Sequence, residues 1–376
     1  MQAAPRRELE LAAFLSRYHH SARHHLSASE CESMTLTALI AMADSEDRAR
    51  WEGLTLAYTD PVGAPWLRHT IADQFTTLGP DDLVCCSGAQ EGLYAVLHAV
   101  MAPGGHAVVV VPGYQSMETL PLGIGTATGV ALDPAQGWTL DIAAVAAACR
   151  PETSVISISF PNNPTGAVLP RDRFEALLAL ARARGLWLLS DEVYRLSERD
   201  PAARMPAAAD LYDRGISVGV LSKTYGLPGL RIGWVACRDP ALIQRVAAFR
   251  SYLSVCSAGP SEVLASIALK NTATIVGRTR ALADRNLVLL RAFLERHDRF
   301  DWVEPPAGVV GFVRDRGAEG AERFVARMAE AGILLLPPSV FRSDLLLALP
   351  EDRFRIGFGG ADFPAGLAAL EAALTR

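Results

Sequence analysis

The strongest constraint on the fold is an alternation of short apolar segments with longer helical ones through the first two thirds of the chain. Six segments have the length and apolar run of buried strands: Leu83 to Cys86, Ala107 to Val111, Thr126 to Leu132, Val155 to Phe160, Leu186 to Leu189 and Ser217 to Leu221. Helical periodicity lies between them, at Glu91 to Val100, Asp141 to Cys149 and Arg171 to Arg184. This alternation predicts a three-layer α/β/α fold, in which helices cover both faces of a mostly parallel sheet.

The pattern changes after Trp234, and this change predicts a second, smaller α+β domain. Residues 261–297 have the spacing of a long helix, and short strands then alternate with helices to the end of the chain. A chain of 376 residues is long enough for two domains. We predict an N-terminal segment at 1–45 that packs with the small domain, a large domain at 46–260, and a connecting helix with the small domain at 261–376.

Composition and charge exclude several classes of partner. The net charge of -5 and the pI near 5.9 leave no basic face for nucleic acid. No segment reaches the roughly 18 apolar residues of a membrane span, and the polar N-terminus lacks the apolar core of a secretory signal. We therefore expect a cytoplasmic protein with a small-molecule partner. The six cysteines include no C-x-x-C pair, which favours buried free thiols over disulfides or a metal site.

One lysine stands where an active site is expected. Lys223 follows the apolar run 216–221 and precedes a turn rich in glycine, so it lies at a strand end, where the sites of open α/β sheets gather. A lysine at a strand end is, by itself, more often a surface residue. With the Ser222 hydroxyl beside it and the Arg231 guanidinium eight residues later, it suits a cofactor that carries both an aldehyde and a phosphate. Pyridoxal phosphate fits that description.

Two further loops offer partners for the pyridine ring of this cofactor. Asp191 follows the strand 186–189 and would pair with the ring nitrogen, because a protonated ring withdraws electrons from a breaking Cα bond of the substrate. Tyr194 and Asn163 are candidates for hydrogen bonds to the phenolic oxygen of the ring. The alternatives are a helix N-cap at Ser190 or Asp191 and a plain turn around Asn163.

The phosphate and the substrate have candidate residues of their own. Gly88, Ala89 and Gln90 precede the predicted helix at Glu91, and free backbone N–H groups at its N-terminus would face a phosphate. Tyr114 would stack on the pyridine ring, or else pack in the core. Arg355 lies in a strand-like alternation and would hold a carboxylate through two parallel hydrogen bonds, or else serve in a structural ion pair.

A polar run near the N-terminus, at residues 27–32, has two interpretations. It precedes the helical pattern that starts near Met34, and its composition is that of a capping loop. Alternatively, Glu30 or Glu32 faces a substrate. If either carboxylate binds a cationic side chain, its change to glutamine is expected to weaken basic substrates more than neutral ones.

Taken together, these motifs resemble those of the class I and II aminotransferase family of fold-type I pyridoxal-phosphate enzymes. They occur in the family's order and span nearly the whole chain: Tyr58 to Arg68, Ser87-Gly88-Ala89-Gln90, Pro112-Gly113-Tyr114, Asn162-Asn163-Pro164-Thr165-Gly166, Asp191-Glu192-Val193-Tyr194, Ser222-Lys223, Arg231 and Arg355. The resemblance implies an aspartate-aminotransferase-like fold. It also implies a Schiff base between Lys223 and the cofactor, and transfer of the substrate Cα proton by the same lysine.

The resemblance gives roles to the remaining residues as well. Ser222 and Arg231 would bind the phosphate together with the backbone at 88–90, and Arg355 would bind the α-carboxylate of an amino acid substrate. Tyr58 would reach the phosphate of the neighbouring subunit, which implies a homodimer with shared active sites. The roles given above to the partners of the pyridine ring agree with those in the family.

One segment departs from the family pattern. The usual N-terminal glycine-x-proline segment, which folds over the substrate, is replaced here by Ser27-Ala28-Ser29-Glu30-Cys31-Glu32. This run and the stretch from Ser222 to Arg231 resemble the capreomycidine synthase branch. Members of that branch use the cofactor for elimination and cyclisation on a hydroxylated arginine rather than for transamination.

Three functions are open at this point. The first is an aminotransferase that acts on an L-amino acid through deprotonation at Cα. The second shares this step and follows it with elimination, replacement or ring closure, as in specialised metabolism such as antibiotic biosynthesis. The third, a catalytically inactive module with the same fold, disagrees with the presence of Lys223, Asp191 and Arg355. The motifs identify the cofactor, and they do not distinguish the substrate or the fate of the carbanion.

Overall fold

The computed structural model describes residues 8–18, 20–346 and 350–374, which form thirteen strands and fourteen α-helices. The strands are β1 (His24–His25), β2 (Leu83–Cys86), β3 (His106–Val111), β4 (Thr126–Asp133), β5 (Thr139–Leu140), β6 (Thr153–Ser159), β7 (Trp187–Asp191), β8 (Gly215–Val220), β9 (Gly233–Ala236), β10 (Phe300–Asp301), β11 (Val310–Asp315), β12 (Ile333–Leu334) and β13 (Arg353–Gly357). The helices are α1 (Glu10–Tyr18), α2 (Leu36–Ile40), α3 (Ser45–Glu52), α4 (Pro65–Ala72), α5 (Ala89–Val100), α6 (Ser116–Ile124), α7 (Ile142–Ala148), α8 (Arg171–Arg184), α9 (Ala208–Leu211), α10 (Pro240–Ser251), α11 (Gly259–Lys270), α12 (Thr272–Glu295), α13 (Ala321–Glu330) and α14 (Phe363–Leu374).

Eight of the strands form one large sheet, in the order β2-β9-β8-β7-β6-β3-β4-β5. Five neighbouring strands, from β8 to β4, run parallel, whereas β9 is antiparallel to both of its neighbours. All six predicted strands lie in this sheet, so the prediction of a mostly parallel sheet is confirmed. The sequence does not predict β9, because four residues directly after a glycine-rich turn are too few to show a periodic pattern.

Strand β7 shows how both faces of the large sheet are covered. Leu188 and Leu189 are consecutive, so their side chains point to opposite faces, and both are fully buried. Leu188 belongs to an apolar cluster with Phe174 of α8, and Leu189 to a cluster with Val96 of α5. Helices therefore pack on both faces, which is the three-layer arrangement that the alternation predicts.

The carboxyl ends of the parallel strands lie at one edge of the sheet. Strands β3, β6, β7 and β8 end at Val111, Ser159, Asp191 and Val220. In an open α/β sheet this edge is where ligands bind. The loops that follow these strands carry the predicted site residues Tyr114, Asn163, Tyr194 and Lys223.

The C-terminal part of the chain has sheets of its own. Strands β10, β11 and β13 form an antiparallel sheet, and β1 pairs in parallel with β12. Helices α12 and α13 pack beside the first of these sheets around four aromatic rings: Phe293, Phe300, Phe324 and Phe354. The β1–β12 pair joins the N-terminal segment to this part of the chain, whereas the domain boundaries at 45 and 260 stay a prediction.

The single helix that periodicity predicts at 261–297 is in fact two helices, α11 and α12. Asn271 lies between them with φ -107° and ψ 25°, outside the helical range. Its side-chain amide donates hydrogen bonds to the carbonyls of Ile267 and Met42. Because asparagine competes for backbone groups in this way, the apolar spacing continues through a point at which the helix ends.

The remaining general expectations concern the cysteines and the membrane. All six cysteines are free thiols, and four of them are buried, as predicted, whereas Cys149 and Cys256 are half-buried. Burial raises the pKa of the buried Cys31 and Cys86 thiols to about 12, so these groups stay protonated at neutral pH. Within the described ranges, no helix has the length and apolarity that crossing a bilayer requires.

Candidate active site

A cavity of about 210 Å³ opens at the carboxyl edge of the large sheet. It lies where the loops after β3, β6, β7 and β8 meet the first turn of α5. Nine of the predicted site residues line it: Ala89, Gln90, Tyr114, Asn163, Asp191, Tyr194, Ser222, Lys223 and Arg231. More than half of the residues that line the cavity are therefore ones that the sequence motifs single out, and their roles stay predictions.

Lys223 presents its amine to this cavity. Nζ donates a hydrogen bond of 2.8 Å to Ser29 Oγ and lies 3.9 Å from Glu30 Oε2. Although 27% of the side chain is exposed, it is exposed to the cavity. Burial lowers the pKa of Lys223, and Glu30 offsets part of this effect. A larger fraction of the amine is therefore neutral and nucleophilic than for a lysine in water.

Lys223 is also one of only two lysines in the sequence, which otherwise uses arginine for its cations. The other, Lys270, is in the last turn of α11 and lies 2.8 Å from carboxylate oxygens of both Asp44 and Asp47. These ion pairs raise the pKa of Lys270. The two amines are thus tuned in opposite directions, and the one in the cavity is the one suited to act as a nucleophile.

Asp191 ends β7 and is 4% exposed. Its Oδ1 accepts a hydrogen bond of 3.2 Å from the Val193 backbone N–H. Burial raises the pKa of Asp191 to about 6, although Val193 and Lys223 both act to lower it. One hydrogen bond and the charge of Lys223 only partly offset the cost of burying this carboxylate. It therefore suits a cationic partner inside the cavity, such as a protonated ring nitrogen.

The two asparagines after β6 have different roles. Asn162 is structural, because its amide donates to Pro112 O and its Oδ1 accepts from both donors of Thr165. Asn163 lines the cavity, and its Oδ1 accepts a hydrogen bond of 2.8 Å from Arg355 Nη1. With Oδ1 occupied, Asn163 has its Nδ2 group to offer to a ligand, as its predicted role requires.

Tyr194 lines the cavity, but its hydroxyl already has a partner. The hydroxyl donates a hydrogen bond of 2.6 Å to the Ser29 carbonyl, and the side chain is 2% exposed. A phenol has one proton to donate. In this structure Tyr194 therefore fixes Ser29, and its predicted hydrogen bond to the cofactor's phenolic oxygen stays a prediction that requires the hydroxyl to accept or to change partner.

We call residues 88–90, together with Ser222 and Arg231, the phosphate end of the cavity. Its backbone is accessible to a ligand. Gly88 precedes α5 at φ +79°, and a Cβ built there would lie 2.4 Å from Arg231 Nη2. Ala89 and Gln90 begin the helix, so their backbone N–H groups are free for an anion. Glycine at position 88 thus lets the guanidinium and the helix N-terminus converge, which is the geometry that binds phosphate.

A buried ion pair that sequence reasoning missed supports the phosphate end. Glu91 accepts a hydrogen bond of 2.5 Å from the Ser87 N–H, and its Oε2 lies 3.5 Å from Nε of the fully buried Arg250. Arg250 also donates to Pro61 O and, at 2.8 Å, to Ser257 Oγ. No sequence signal marks Arg250, because an arginine in the last turn of a helix usually lies on the surface.

Residues 26–32, which we call the strap, cross the cavity from the N-terminal side. Tyr194 and Arg355 donate to the carbonyls of Ser29 and Ser27, each at 2.6 Å. The Cys31 N–H donates to Lys223 O at 3.2 Å. Glycines make room for the strap, since a Cβ at 357 or 359 would lie 1.8 Å or 2.5 Å from a strap carbonyl. The polar run is therefore part of the cavity, and its interpretation as a simple capping loop is incomplete.

The two glutamates of the strap face different ways. Glu30 Oε2 accepts from the Ser29 N–H at 3.1 Å and lies near Lys223, whereas its contact with a substrate stays a prediction. Glu32 Oε2 instead accepts a hydrogen bond of 2.7 Å from the Ala361 N–H. Of the two carboxylates that the sequence offers, the structure brings Glu30 to the reactive lysine and uses Glu32 to fix the strap.

Arg355 lies on β13 and is 2% exposed. Its Nη groups are bonded to Asn163 and Ser27, whereas its Nε has no hydrogen-bond partner among the described residues. Within the same residues, no carboxylate lies at ion-pair distance from it, and burial lowers the pKa of Arg355. A buried guanidinium without a carboxylate partner suits an anion, and the role of Arg355 in substrate binding stays a prediction. A structural ion pair is ruled out for the described part of the chain.

The residues present fit pyridoxal phosphate at its aldehyde, its ring and its phosphate. Lys223 offers an amine to the aldehyde, and Asp191 offers a buried carboxylate to the ring nitrogen. The cradle at Gly88, which a Cβ would fill, faces the Arg231 guanidinium. Tyr114 lines the cavity and offers an aromatic face for the ring.

Tyr58 lies outside the cavity of its own chain. It is 90% exposed, as is the neighbouring Leu56. The prediction placed it at the site of a second subunit, and this exposure leaves it free to reach one. Two hydrogen bonds fix its loop. Thr59 Oγ1 donates one of 2.7 Å to Ser257 O, and Arg250 donates the other to Pro61 O.

Comparisons with known proteins agree with this geometry. The family model for aminotransferases of class I and II matches residues 25–363. Capreomycidine synthase of Streptomyces vinaceus is 31% identical over 322 residues, which are 82% of this chain and 78% of that protein. A pyridoxal-phosphate-dependent aminotransferase structure from Streptococcus suis has a TM-score of 0.90 and 28% identity, and the match covers 100% of this chain and 99% of that one.

A second solved structure matches almost as well. The pyridoxal-phosphate-dependent cyclase OrfR has a TM-score of 0.88 and 25% identity, with 100% of this chain and 99% of that chain covered. The predicted fold is therefore confirmed along the whole length of the chain. We conclude that the chain belongs to the class I and II aminotransferase family and that its cofactor is pyridoxal phosphate.

Proposed function

We propose that the chain is a cytoplasmic aminotransferase that removes the amino group of an L-amino acid. The observation that carries the proposal is the placement of Lys223 and Asp191 on the wall of one cavity, with the buried Arg355 bonded to Asn163 beside it. An amine, a ring carboxylate and an anion-binding guanidinium are the groups that the reaction needs. A cytoplasmic location is supported by sequence composition alone and stays a prediction.

Each residue of the cavity has a task in this reaction. Pyridoxal phosphate, when bound, supplies an aldehyde that condenses with amines and a ring that withdraws electrons from the substrate Cα. Lys223 Nζ accepts the proton from Cα, and Asp191 holds a proton at the ring nitrogen. Arg355 binds the α-carboxylate and so orients the Cα–H bond toward the lysine. Tyr114 covers the ring and excludes water.

The proposed reaction is tested by the products formed in a single turnover. Holoenzyme is mixed with individual L-amino acids, and both the cofactor form and the keto acid are quantified. Transamination predicts one keto acid and one pyridoxamine phosphate for each active site. Consumption of an amino acid with all of the cofactor kept as pyridoxal phosphate would contradict it. If no L-amino acid were consumed, the proposed function would be wrong.

A second candidate function is elimination or ring closure on an amino acid with a leaving group. It is favoured by the strap, which brings the Ser29 hydroxyl to 2.8 Å from Lys223 Nζ, where the family pattern has a glycine-x-proline segment. Similarity to capreomycidine synthase and to a cyclase structure supports the same candidate. In the single-turnover experiment it predicts loss of substrate while the cofactor remains pyridoxal phosphate.

We propose that Glu30 binds the side chain of the substrate. Its carboxylate is 38% exposed at the cavity mouth, and a cationic side chain there would gain an ion pair. Glu30→Gln is expected to reduce kcat/KM for L-arginine by about tenfold more than for L-alanine. Equal reductions for the two substrates would remove this role.

We further propose that the enzyme acts as a homodimer with shared sites. Apolar side chains with exposures from 47% to 92% support the proposal, since a monomer gains nothing from exposing them: Leu36, Leu56, Tyr58, Tyr252, Leu253 and Val255. Light scattering is expected to give twice the mass of the chain. Mixing inactive Lys223→Ala with weakly active Tyr58→Ala chains should restore activity, because each hybrid dimer contains one intact site. No restoration would contradict shared sites.

A further inference from the structure

The strap is fixed against the reactive lysine along its whole length. The Gly357 N–H donates to Leu26 O at 2.7 Å, and the Glu32 N–H donates to Gly359 O at 2.8 Å. Arg278 adds a hydrogen bond of 2.6 Å to the Glu32 carbonyl. Bonds at both ends and at Ser29 in the middle leave the strap little freedom to shift. The side chains that it presents to Lys223 therefore have defined positions.

Two of these side chains continue the hydrogen bond that Lys223 makes. Nζ donates to Ser29 Oγ at 2.8 Å, and the Ser29 hydroxyl donates to Glu30 Oε2 at 3.5 Å. Ser29 is 8% exposed, whereas the Glu30 side chain is 38% exposed. The series amine, hydroxyl and carboxylate thus leads from the buried nitrogen to solvent.

We propose that Ser29 and Glu30 form a proton path between Lys223 and solvent. The proposal rests on the proposed function, in which Lys223 Nζ has taken a proton from the substrate Cα. An N–H bond of Lys223 then breaks as its proton passes to Ser29 Oγ, while the Ser29 hydroxyl proton passes to Glu30 Oε2. The ammonium becomes an amine and the carboxylate becomes a carboxylic acid, so protons and charge balance.

The other charged groups around Lys223 do not offer such a path. Asp191 is 4% exposed and serves the ring nitrogen in the proposed function. Arg355 and Arg231 carry positive charge and disfavour a second cation at Lys223. Glu30 is therefore the group that both attracts the proton and meets solvent. A path of this kind lets the Cα proton exchange with water, and it provides a second acid for a leaving group.

The path has a signature that needs no turnover. In the holoenzyme, the pH at which the visible absorption of the bound cofactor changes reports protonation of the Lys223 nitrogen. Glu30→Gln is expected to lower this midpoint by about one pH unit, because it removes the nearest negative charge on the strap. Glu32→Gln is the matched control, since Glu32 faces Ala361, and it should leave the midpoint unchanged.

Exchange in D₂O tests the hydroxyl. Holoenzyme is incubated with L-alanine, L-aspartate or L-arginine, and mass spectrometry measures deuterium at Cα of the recovered amino acid. Ser29→Ala and Glu30→Gln are each expected to lower the ratio of exchange to turnover by about tenfold, whereas Glu32→Gln keeps it. An unchanged ratio in both variants, with turnover intact, would overturn the path and leave the proposed function standing.

Failure of the proposed function and failure of the proton path give different results. If none of the three amino acids is consumed, the proposed function is in question, while the absorption midpoint still tests the contact between Glu30 and Lys223. A midpoint that does not move in Glu30→Gln would overturn the path regardless of the substrate. If Glu32→Gln lowered the ratio of exchange to turnover as much as Ser29→Ala and Glu30→Gln do, the strap would act only as a structural support. That result would also overturn the path.

Discussion

The phosphate end and the strap both contribute residues to the cavity that Lys223 lines, and they are built in different ways. The phosphate end consists of strand ends and the first turn of α5, which one sheet brings together. The strap comes from the N-terminal segment and takes its position from hydrogen bonds to Tyr194, Arg355 and Gly357. The sheet-built half carries the features common to the family, and the strap stands where the family pattern has a glycine-x-proline segment.

The largest effect is expected at the residue that both regions share. Lys223→Ala removes the amine that binds the aldehyde and moves the Cα proton, so turnover should fall by about three orders of magnitude or more. Lys270→Ala is the matched control, because it removes the other lysine outside the cavity. Steady-state turnover of the two variants is the measurement. Comparable activity in both would place the chemistry elsewhere.

The Asp191 carboxylate, at the end of β7, is expected to lower the stability of the folded cofactor-free protein at neutral pH. Burial raises its pKa to about 6 in the folded protein, compared with an ordinary value of 3.8. Because the folded state binds the proton more tightly, stability should fall as the pH rises from about 4 to 6. Cofactor-free Asp191→Asn should therefore be more stable than the parent by about 3 kcal/mol at pH 7, but not at pH 4.

Urea unfolding of the two cofactor-free proteins at both pH values measures this difference. Glu30→Gln provides the comparison on the strap, since exposed ion pairs contribute at most about 1 kcal/mol. A stability difference for Asp191→Asn that is the same at pH 4 and pH 7 would show that the carboxylate does not titrate as described.

Gly88→Ala should damage the phosphate end alone. The new Cβ would lie 2.4 Å from Arg231 Nη2, and the backbone φ of +79° is unfavourable for alanine. We expect the affinity for pyridoxal phosphate to fall by about 10- to 100-fold, the range set by charged hydrogen bonds. Equilibrium titration with the cofactor measures it. An unchanged affinity would mean that the phosphate does not bind there.

Gly359→Ala is the corresponding change beside the strap, and a smaller effect on cofactor binding is expected. Its Cβ would lie 2.5 Å from the Glu30 carbonyl, so the strap must shift and turnover should fall by about tenfold. Cofactor affinity should change little. Gly360→Ala is the control, because its Cβ meets only Glu32 Oε2 at an ordinary 3.7 Å. Equal losses of affinity in Gly88→Ala and Gly359→Ala would remove the distinction between the two regions.

The contrast between the two regions also explains what the sequence could predict. Lys223, Asp191 and Gly88 lie next to strands or helices that local periodicity reveals, and parallel strands place their ends together. The role of Ser29 depends on contacts with residues 165 or more positions away, which no local pattern contains. Arg250 was missed for the same reason, because its partners Glu91 and Pro61 are distant in sequence.

The break at Asn271 shows a different limit. The apolar spacing of 261–297 continues without interruption, and the end of α11 depends on one side-chain amide that finds Met42 across the fold. Similarly, the sequence offers Glu30 and Glu32 as equivalent carboxylates. The position of the Ala361 N–H, near the C-terminal end of the chain, separates them.

Covalent mapping of the cofactor tests the central claim most directly. Holoenzyme is reduced with borohydride, digested, and examined by mass spectrometry. Because the sequence contains two lysines, each peptide identifies its lysine without ambiguity. We predict that the peptide with Lys223 carries the mass of the reduced cofactor and that the peptide with Lys270 does not. A label on Lys270, or bound cofactor with no label on Lys223, would contradict the account.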